Sequence, residues 1–508
     1  VTEAHSYRQI LRSSSIIGGA SVVNILVGLL RAKAVALILG PAGVGLFGLF
    51  TNIVATASTL SGLGFGNVGT RQIAEASANE DPIRVAAARR ALFWGTMALA
   101  VLGGAMFWLL RGVIARHILG DAHLAGEIGW LAIAVSLTVA AASQNALLNG
   151  LRRIGDIARV SMGSALLSTC VGVVALLWFG RAGLALFVIV IPAASFLLGH
   201  LFVARLPRVA QQRTELASLA AQWRVLATLG AAFMIAGLAG TVGQLVVRSM
   251  FQHELGVEAL GHFQASWAIS MTYIGFVLSA MGTDYYPRLT AVIGDHDAAN
   301  RLVNQQTEVA LLLATPVLLA MLGLAPWIIR LLYSSAFLEA ADMLRWQVLG
   351  DFLKVMSWPL GFILLASGAG RTFMFTEWTA AGLFVALCAL TLPVLGVQSA
   401  GISFLGMYAG YLPLVYWFAA RRTGFRYSAA VIRLIGLGMG AGLAILLLSR
   451  QSTVAAATLG VLSSGIFGIG GLIRLAAMAD AGGRAGKISN GALRILHSIG
   501  LKNDPQPK

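Results

Sequence analysis

Long apolar stretches separated by brief polar punctuation run through almost the whole chain. A helix needs about 20 apolar residues to cross a bilayer. On that criterion the pattern predicts about fourteen spans, at 13–39, 44–68, 88–110, 126–149, 160–179, 182–204, 225–250, 260–281, 303–325, 342–367, 372–395, 400–419, 427–449 and 454–476. The run from Asp342 to Ser367 differs from the others in carrying charge in its interior. At 100° per residue, Gln347, Gly350, Asp351, Lys354, Ser357, Trp358 and Gly361 share one side of it. A charge at the bilayer centre costs about 2.5–3.5 kcal/mol on insertion scales, so this stripe is expected to face a cavity or a polar partner.

Composition agrees with the pattern. Of 508 residues, 58% are hydrophobic and 11% charged, against about 25% charged in a soluble domain. The fold class expected is an all-α polytopic membrane protein. The formal net charge of +16 would suggest nucleic acid in a soluble chain, but here the positive-inside rule accounts for most of it and no nucleic-acid partner is expected. Arg8, Arg12, Arg71, Arg84, Arg89, Arg90, Arg152, Arg153 and most of the later basic residues fall on one set of loops, which predicts both termini inside. The polar stretch Val1 to Arg12 leads into an apolar run too long for a signal-peptide core, so the first helix is expected to remain as a span. Cys170 and Cys388 sit in apolar runs and offer neither a disulfide framework nor metal spacing.

Aligning the spans reveals a repeat. Leu39-Gly40-Pro-Ala-Gly-Val-Gly45-Leu-Phe47 matches Leu255-Gly256-Val-Glu-Ala-Leu-Gly261-His-Phe263, 216 residues later. Trp108 and Arg111 match Trp327 and Arg330, Gly150 and Arg153 match Gly368 and Arg371, and Ala182 to Ala185 matches Ala400 to Ser403. The glycines of the first pair are expected in tight turns, where backbone freedom is needed. A parallel repeat of this kind predicts two six-helix lobes. The division expected is 1–204 as N-lobe, 205–224 as a cytoplasmic linker, 225–420 as C-lobe, 421–476 as two extra helices and 477–508 as a basic tail.

No Gly-rich phosphate loop, G-x-S-x-G or H-E-x-x-H motif occurs, so no enzyme active site is expected. Chemistry is expected instead at the intramembrane charges. Ser21, Asn24, Gly28 and Arg31 lie on one face of the first helix, with Lys33 pointing away. Gly237, Thr241, Gln244 and Arg248 form a similar stripe on the seventh. The two arginines, near-equivalent in the repeat, would either grip a phosphate from both sides or snorkel to the interface and pair with acids. Asp351 and Lys354 would either neutralise one another or serve function, with Glu377 as a second partner for Lys354. Asp284, in Gly282-Thr-Asp-Tyr-Tyr-Pro-Arg288, reads as a helix terminus with Pro287 ending the span.

Gly40-Pro-Ala-Gly-Val-Gly45, Gly282-Thr-Asp-Tyr-Tyr-Pro-Arg-Leu289 and Trp346-Gln-Val-Leu-Gly-Asp-Phe-Leu-Lys354 with Thr376-Glu377 resemble the O-antigen and enterobacterial-common-antigen type of polysaccharide flippase. These belong to the multidrug/oligosaccharidyl-lipid/polysaccharide exporter superfamily. The resemblance spans residues 8–425 and implies nothing about the last two helices. It implies two lobes in a V around a cationic cavity, working by alternating access in a bacterial inner membrane. The implied cargo is an undecaprenyl-pyrophosphate-linked oligosaccharide repeat unit for surface polysaccharide, lipopolysaccharide or exopolysaccharide. Arg31, Lys33, Arg71, Arg248 and Lys354 then become candidates for cargo contacts, and Asn24, Thr241, Gln244, Gln347 and Trp358 for polar lining. Trp267, Tyr273 and Trp346 are further candidates for packing against sugars. Asp351, Glu377 and Asp284 become candidates for ion pairing or for coupling to a proton or sodium gradient; no cofactor is implied. Partners expected are membrane lipids, a polysaccharide polymerase and a chain-length regulator. The competing readings are a multidrug or small-molecule antiporter of the same superfamily, a membrane polymerase or glycosyltransferase, and a structural subunit.

Overall fold

The computed structural model describes residues 3–79, 81–206 and 216–477. The expected linker is therefore covered in part, and the expected tail, apart from Ala477, lies outside the described residues. Long helices follow one another through the chain: α1 (Glu3–Gly62), α2 (Phe65–Ala78), α3 (Pro82–Leu109), α4 (Ala125–Gly150), α5 (Ile154–Phe179), α6 (Gly183–Ala204) and α7 (Leu216–Glu254). They continue as α8 (Gly256–Val292), α9 (His296–Leu332), α10 (Ala340–Ala366), α11 (Gly370–Leu395), α12 (Ser399–Thr423), α13 (Ala429–Ser449) and α14 (Thr453–Ala477). Ten stretches of the described residues are long and apolar enough to cross a membrane, and three of these contain a break that divides them into two helices. The chain is a multi-pass, all-helical membrane protein.

The breaks follow from local chemistry. Gly40 takes φ 65° and, with Pro41 behind it, bends α1. Gly256, its counterpart in the repeat, takes φ 82° between α7 and α8. Side chains with a Cβ rarely adopt either value, so both expected glycine turns are present. Asp81 starts α3 by accepting from the amides of Ile83 and Arg84 at 3.0 Å each, with Pro82 at the first helical position. Pro287 departs from expectation. It sits inside α8, which continues to Val292. A proline deletes one backbone donor without ending a well-packed helix. Tyr285, almost fully buried, anchors this stretch by donating to the Pro359 carbonyl at 3.0 Å.

The chain forms two compact units. The first is Val1–Ala265 with Leu332–Phe337. It therefore extends beyond the expected N-lobe 1–204, because α7 packs on α1, α2 and α3. Gly64 and Gly230 meet at backbone distance, and the Trp223 indole donates to the Ala91 carbonyl at 2.8 Å. Phe65, Ile73, Leu92, Leu147 and Leu226 fill a core at this end. The second unit is Ser266–Leu331 with Leu338–Lys508. Its core includes Tyr285, Leu289, Val303, Leu360, Ile363 and Phe425.

Within the second unit, α13 and α14 are held to α9 by glycine contacts and a polar clasp. Gly323 of α9 and Gly460 of α14 approach within 2.9 Å of a Cβ position. Asn300 donates to the Thr423 carbonyl at 2.8 Å, and Asn304 donates to the Arg426 carbonyl at 3.0 Å and accepts from the Ser428 amide at 2.7 Å. One turn further along α9, Glu308 accepts from Arg474 of α14. Asn300, Asn304 and Glu308 repeat every four residues and so occupy one face of α9.

Candidate functional site

In the first unit, the first half of α1 packs along α5 and places its polar face against a ladder of hydroxyls. Asn24 donates to Ser161 at 2.7 Å. Two turns on, the Arg31 guanidinium donates to Thr169 at 3.1 Å, to Ser168 at 3.2 Å and to the Ala165 carbonyl at 3.4 Å. Phe187 lies beneath it, its ring centre 5.8 Å from Cζ. Beside these groups opens a cavity of about 670 Å³, lined by Asn24, Arg31, Thr51, Asn145, Ser161 and Ser168 among others. Its lining among the described residues carries one charge, Arg31, and no carboxylate.

Arg248 takes a different place from its counterpart. It is 3% exposed, donates to Gln244 at 3.0 Å and to Gln264 at 3.0 and 3.3 Å, and lies 5.2 Å from the Phe263 ring centre. Gln244 thus serves the arginine, and neither residue lines the cavity beside Arg31. Thr241 bonds the carbonyls of its own helix at 3.3 and 3.5 Å. Lys33 donates to the Tyr333 carbonyl. Arg71 is exposed and pairs with Glu75 at 2.6 Å, which holds its guanidinium above the ordinary arginine pKa.

In the second unit, the stripe on α10 faces its neighbours in the protein. Asp351 is fully buried and accepts from Ser270 of α8 at 2.6 Å; its other oxygen has no partner among the described residues. Gln347, one turn earlier and also fully buried, has a partner for neither side-chain atom among the described residues. Such groups cost about 1–3 kcal/mol each to bury. Lys354 is half-buried. Its Nζ lies 3.1 Å from the Met271 sulfur and 6.0 Å from the ring centres of both Phe404 and Tyr408. Glu377 accepts from Tyr411 at 2.7 Å.

Asp351 and Lys354 share the stripe without a direct contact between their charged atoms. No ion pair among the described residues joins Lys354 to Asp351 or to Glu377. Ser270 and Met271, on a different helix, take the two side chains instead. Trp358 stacks on Tyr285 at 6.0 Å and meets Phe362 edge-on at 4.6 Å between ring centres, in an aromatic core. Trp267 similarly packs on Phe384 and Phe404, and Tyr273 donates to the Leu313 carbonyl. Trp346 lies against Gly401 of α12. The Asp284 side chain lies outside the described residues.

Sequence reasoning missed the partners: Ser168 and Thr169 on Arg31, Ser161 on Asn24, and Ser270, Met271 and Tyr411 around the second-unit charges. The signal was present for the first group, since Ser161, Ser164 and Ser168 recur at i, i+3 and i+7 along one helix.

Known proteins resemble this chain in sequence and in fold. The chain is 24% identical over 411 residues to the lipid III flippase of Escherichia coli (strain K12), covering 78% of this chain and 94% of that protein. The lipid III flippase of Shigella flexneri gives the same figures. A structure described as lipid II flippase MurJ in an inward closed conformation superposes with a TM-score of 0.67 at 13% identity, over 90% of this chain and 98% of that one. An inward-facing multidrug resistance MATE family transporter of the MOP superfamily gives 0.63 at 15% identity, over 80% and 94%. These structures share the fold. A family model, polysaccharide biosynthesis protein, matches residues 10–292, which is more than half of the sequence and contains the Arg31 cavity and the Arg248 site, and the chain belongs to that family.

Proposed function

We propose that the protein flips a lipid-linked oligosaccharide, an undecaprenyl-pyrophosphate-linked repeat unit, from the cytoplasmic to the periplasmic leaflet of a bacterial inner membrane. It is a transporter working by alternating access between two lobes, with both termini cytoplasmic. The observation that carries this reading is the cavity beside Arg31. Hydroxyl and amide side chains line it, as suits a sugar, and its one charge is a cation, as suits a phosphate. In a low-dielectric site an anionic cargo needs a fixed positive group.

Lys354 and Arg248 are proposed as further cationic contacts in the inward- or outward-open states, and Asp351 and Glu377 as groups that couple transport to a proton or sodium gradient. A polysaccharide polymerase and a chain-length regulator are the proposed partners in O-antigen, lipopolysaccharide or exopolysaccharide assembly. The second reading, a multidrug antiporter, is favoured by the likeness to a multidrug resistance transporter. A cationic drug, however, would want an acid in the cavity, and the lining among the described residues holds none.

Proteoliposomes holding the purified protein would decide between them. A fluorescent undecaprenyl-pyrophosphate oligosaccharide should become accessible to an external quencher faster than in empty vesicles, while a lipophilic cationic dye should not. Dye transport without lipid movement would overturn the flippase reading.

A further inference from the structure

A second groove, away from the Arg31 cavity, lies on the first unit where α3 meets α4. Its volume is about 640 Å³, and Trp108, Arg111, Gly129, Trp130, Ile133 and Leu137 are among its lining residues. It contains the first of two copies of a Trp-x-x-Arg motif that recurs at Trp327 and Arg330, a feature the transport reading does not use. In the second copy the helix runs unbroken through Arg330 to Leu332; in the first, α3 stops at Leu109 and Arg111 opens a separate turn.

The geometry gives this groove a charged mouth and an apolar floor. The Arg111 guanidinium lies over the Trp108 indole, its Cζ 3.7 Å from the ring centre, and donates to the Trp108 carbonyl at 2.9 Å. Gly129 leaves room for this stack, since a Cβ there would stand 3.0 Å from Arg111 Cδ. Arg111 has no acidic partner among the described residues; Glu127, in the first turn of α4, forms no ion pair with it. A guanidinium has five donors, so most of its fork is unmatched. Trp108 and Trp130 are 49% and 64% exposed, as tryptophans are at the headgroup level of a bilayer. From Gly126 to Leu137 the groove descends along α4 by roughly 16 Å, at 1.5 Å per residue, toward the middle of the span.

We propose that this groove binds one anionic glycerophospholipid of the surrounding bilayer, with its phosphate on Arg111 and an acyl chain along Ile133 and Leu137. Charge complementarity selects an anionic headgroup: a cation held against an indole and lacking a carboxylate partner meets a phosphate with no compensating ammonium. The site is independent of cargo transport, because it needs only the membrane in which the ten apolar stretches sit.

Native mass spectrometry of the detergent-purified full chain, incubated with phosphatidylglycerol or phosphatidylethanolamine, tests the assignment. The expected result is at least a fivefold excess of phosphatidylglycerol adduct over phosphatidylethanolamine. Arg111→Ala should remove that excess. Ile133→Trp, which fills the floor and keeps the charge, should lower phosphatidylglycerol retention at least fivefold. Arg116→Ala, at a nearby exposed arginine that bonds the Gly112 carbonyl, should leave retention unchanged. Equal retention of the two lipids, equal phosphatidylglycerol retention by wild type and Ile133→Trp, or preferential retention of a polyprenyl phosphate would each overturn the proposal.

Discussion

Gly45 and Gly261, equivalent positions in the sequence repeat, meet at backbone distance: a Cβ on Gly45 would stand 2.8 Å from the Gly261 nitrogen and 2.6 Å from the Val257 carbonyl oxygen. A Cβ on Gly261 would in turn overlap the Pro41 carbonyl. The turn at Gly40 and the start of α8 are thus joined through the two copies of one motif. Because the obstructing atoms are backbone, they cannot rotate away. Gly45→Val or Gly261→Val should cost about 1–3 kcal/mol or more through overpacking. Gly240→Ala, at a helical glycine with open space around its Cβ position, should be neutral or slightly stabilising. Thermal unfolding in detergent checks this, and equal midpoints for Gly261→Val and wild type would refute the close approach.

The clasp on α9 makes a separate claim. Glu308 is 8% exposed and its partner Arg474 is half-exposed. Arg474→Ala leaves a carboxylate nearly buried and unpaired, which should destabilise the protein by about 1–3 kcal/mol once solvent screening of the exposed partner is allowed for. The double variant Glu308→Met, Arg474→Met should recover most of that loss. A double variant as unstable as Arg474→Ala alone would remove the ion pair as an anchor of α14.

Asp351 is held by Ser270 and not by an ion pair with Lys354, so charge and structure can be separated there. Asp351→Asn keeps an oxygen to accept from Ser270 and should unfold within about 1 kcal/mol of wild type, since the net worth of one such hydrogen bond is of that size. If the carboxylate couples transport, the same variant should lose the response of flipping to imposed proton or sodium gradients. Identical gradient responses in Asp351→Asn and wild type would exclude coupling through this acid.

How much of this was legible in the sequence differs from residue to residue. The multi-pass helical character was readable because apolar run length alone sets bilayer crossing, and Gly40 and Gly256 were readable as turns because few residues tolerate their φ. The Gly45–Gly261 approach was not, since it joins positions 216 residues apart and depends on packing. Arg31 and Arg248 look alike in sequence, yet Gln264 on the next helix occupies one and leaves the other beside a cavity. The hydroxyls of α5 gave an ambiguous signal because serine in a helix also satisfies itself locally, as Ser164 does by donating to the Ser161 carbonyl at 3.0 Å. Pro287 misled because sequence shows the missing amide but not the packing of Tyr285 that carries the helix past it.

Whether Arg31 carries the cargo's charge is read from the flipping rate of a fluorescent undecaprenyl-pyrophosphate oligosaccharide in proteoliposomes containing wild type, Arg31→Lys or Arg31→Ala. Hydrogen bonds to a charged group contribute about 1.5–3 kcal/mol, so Arg31→Ala should slow flipping by at least about tenfold, with Arg31→Lys intermediate and all three proteins equally folded. An Arg31→Ala rate equal to wild type would contradict a cationic cavity that carries the anionic cargo.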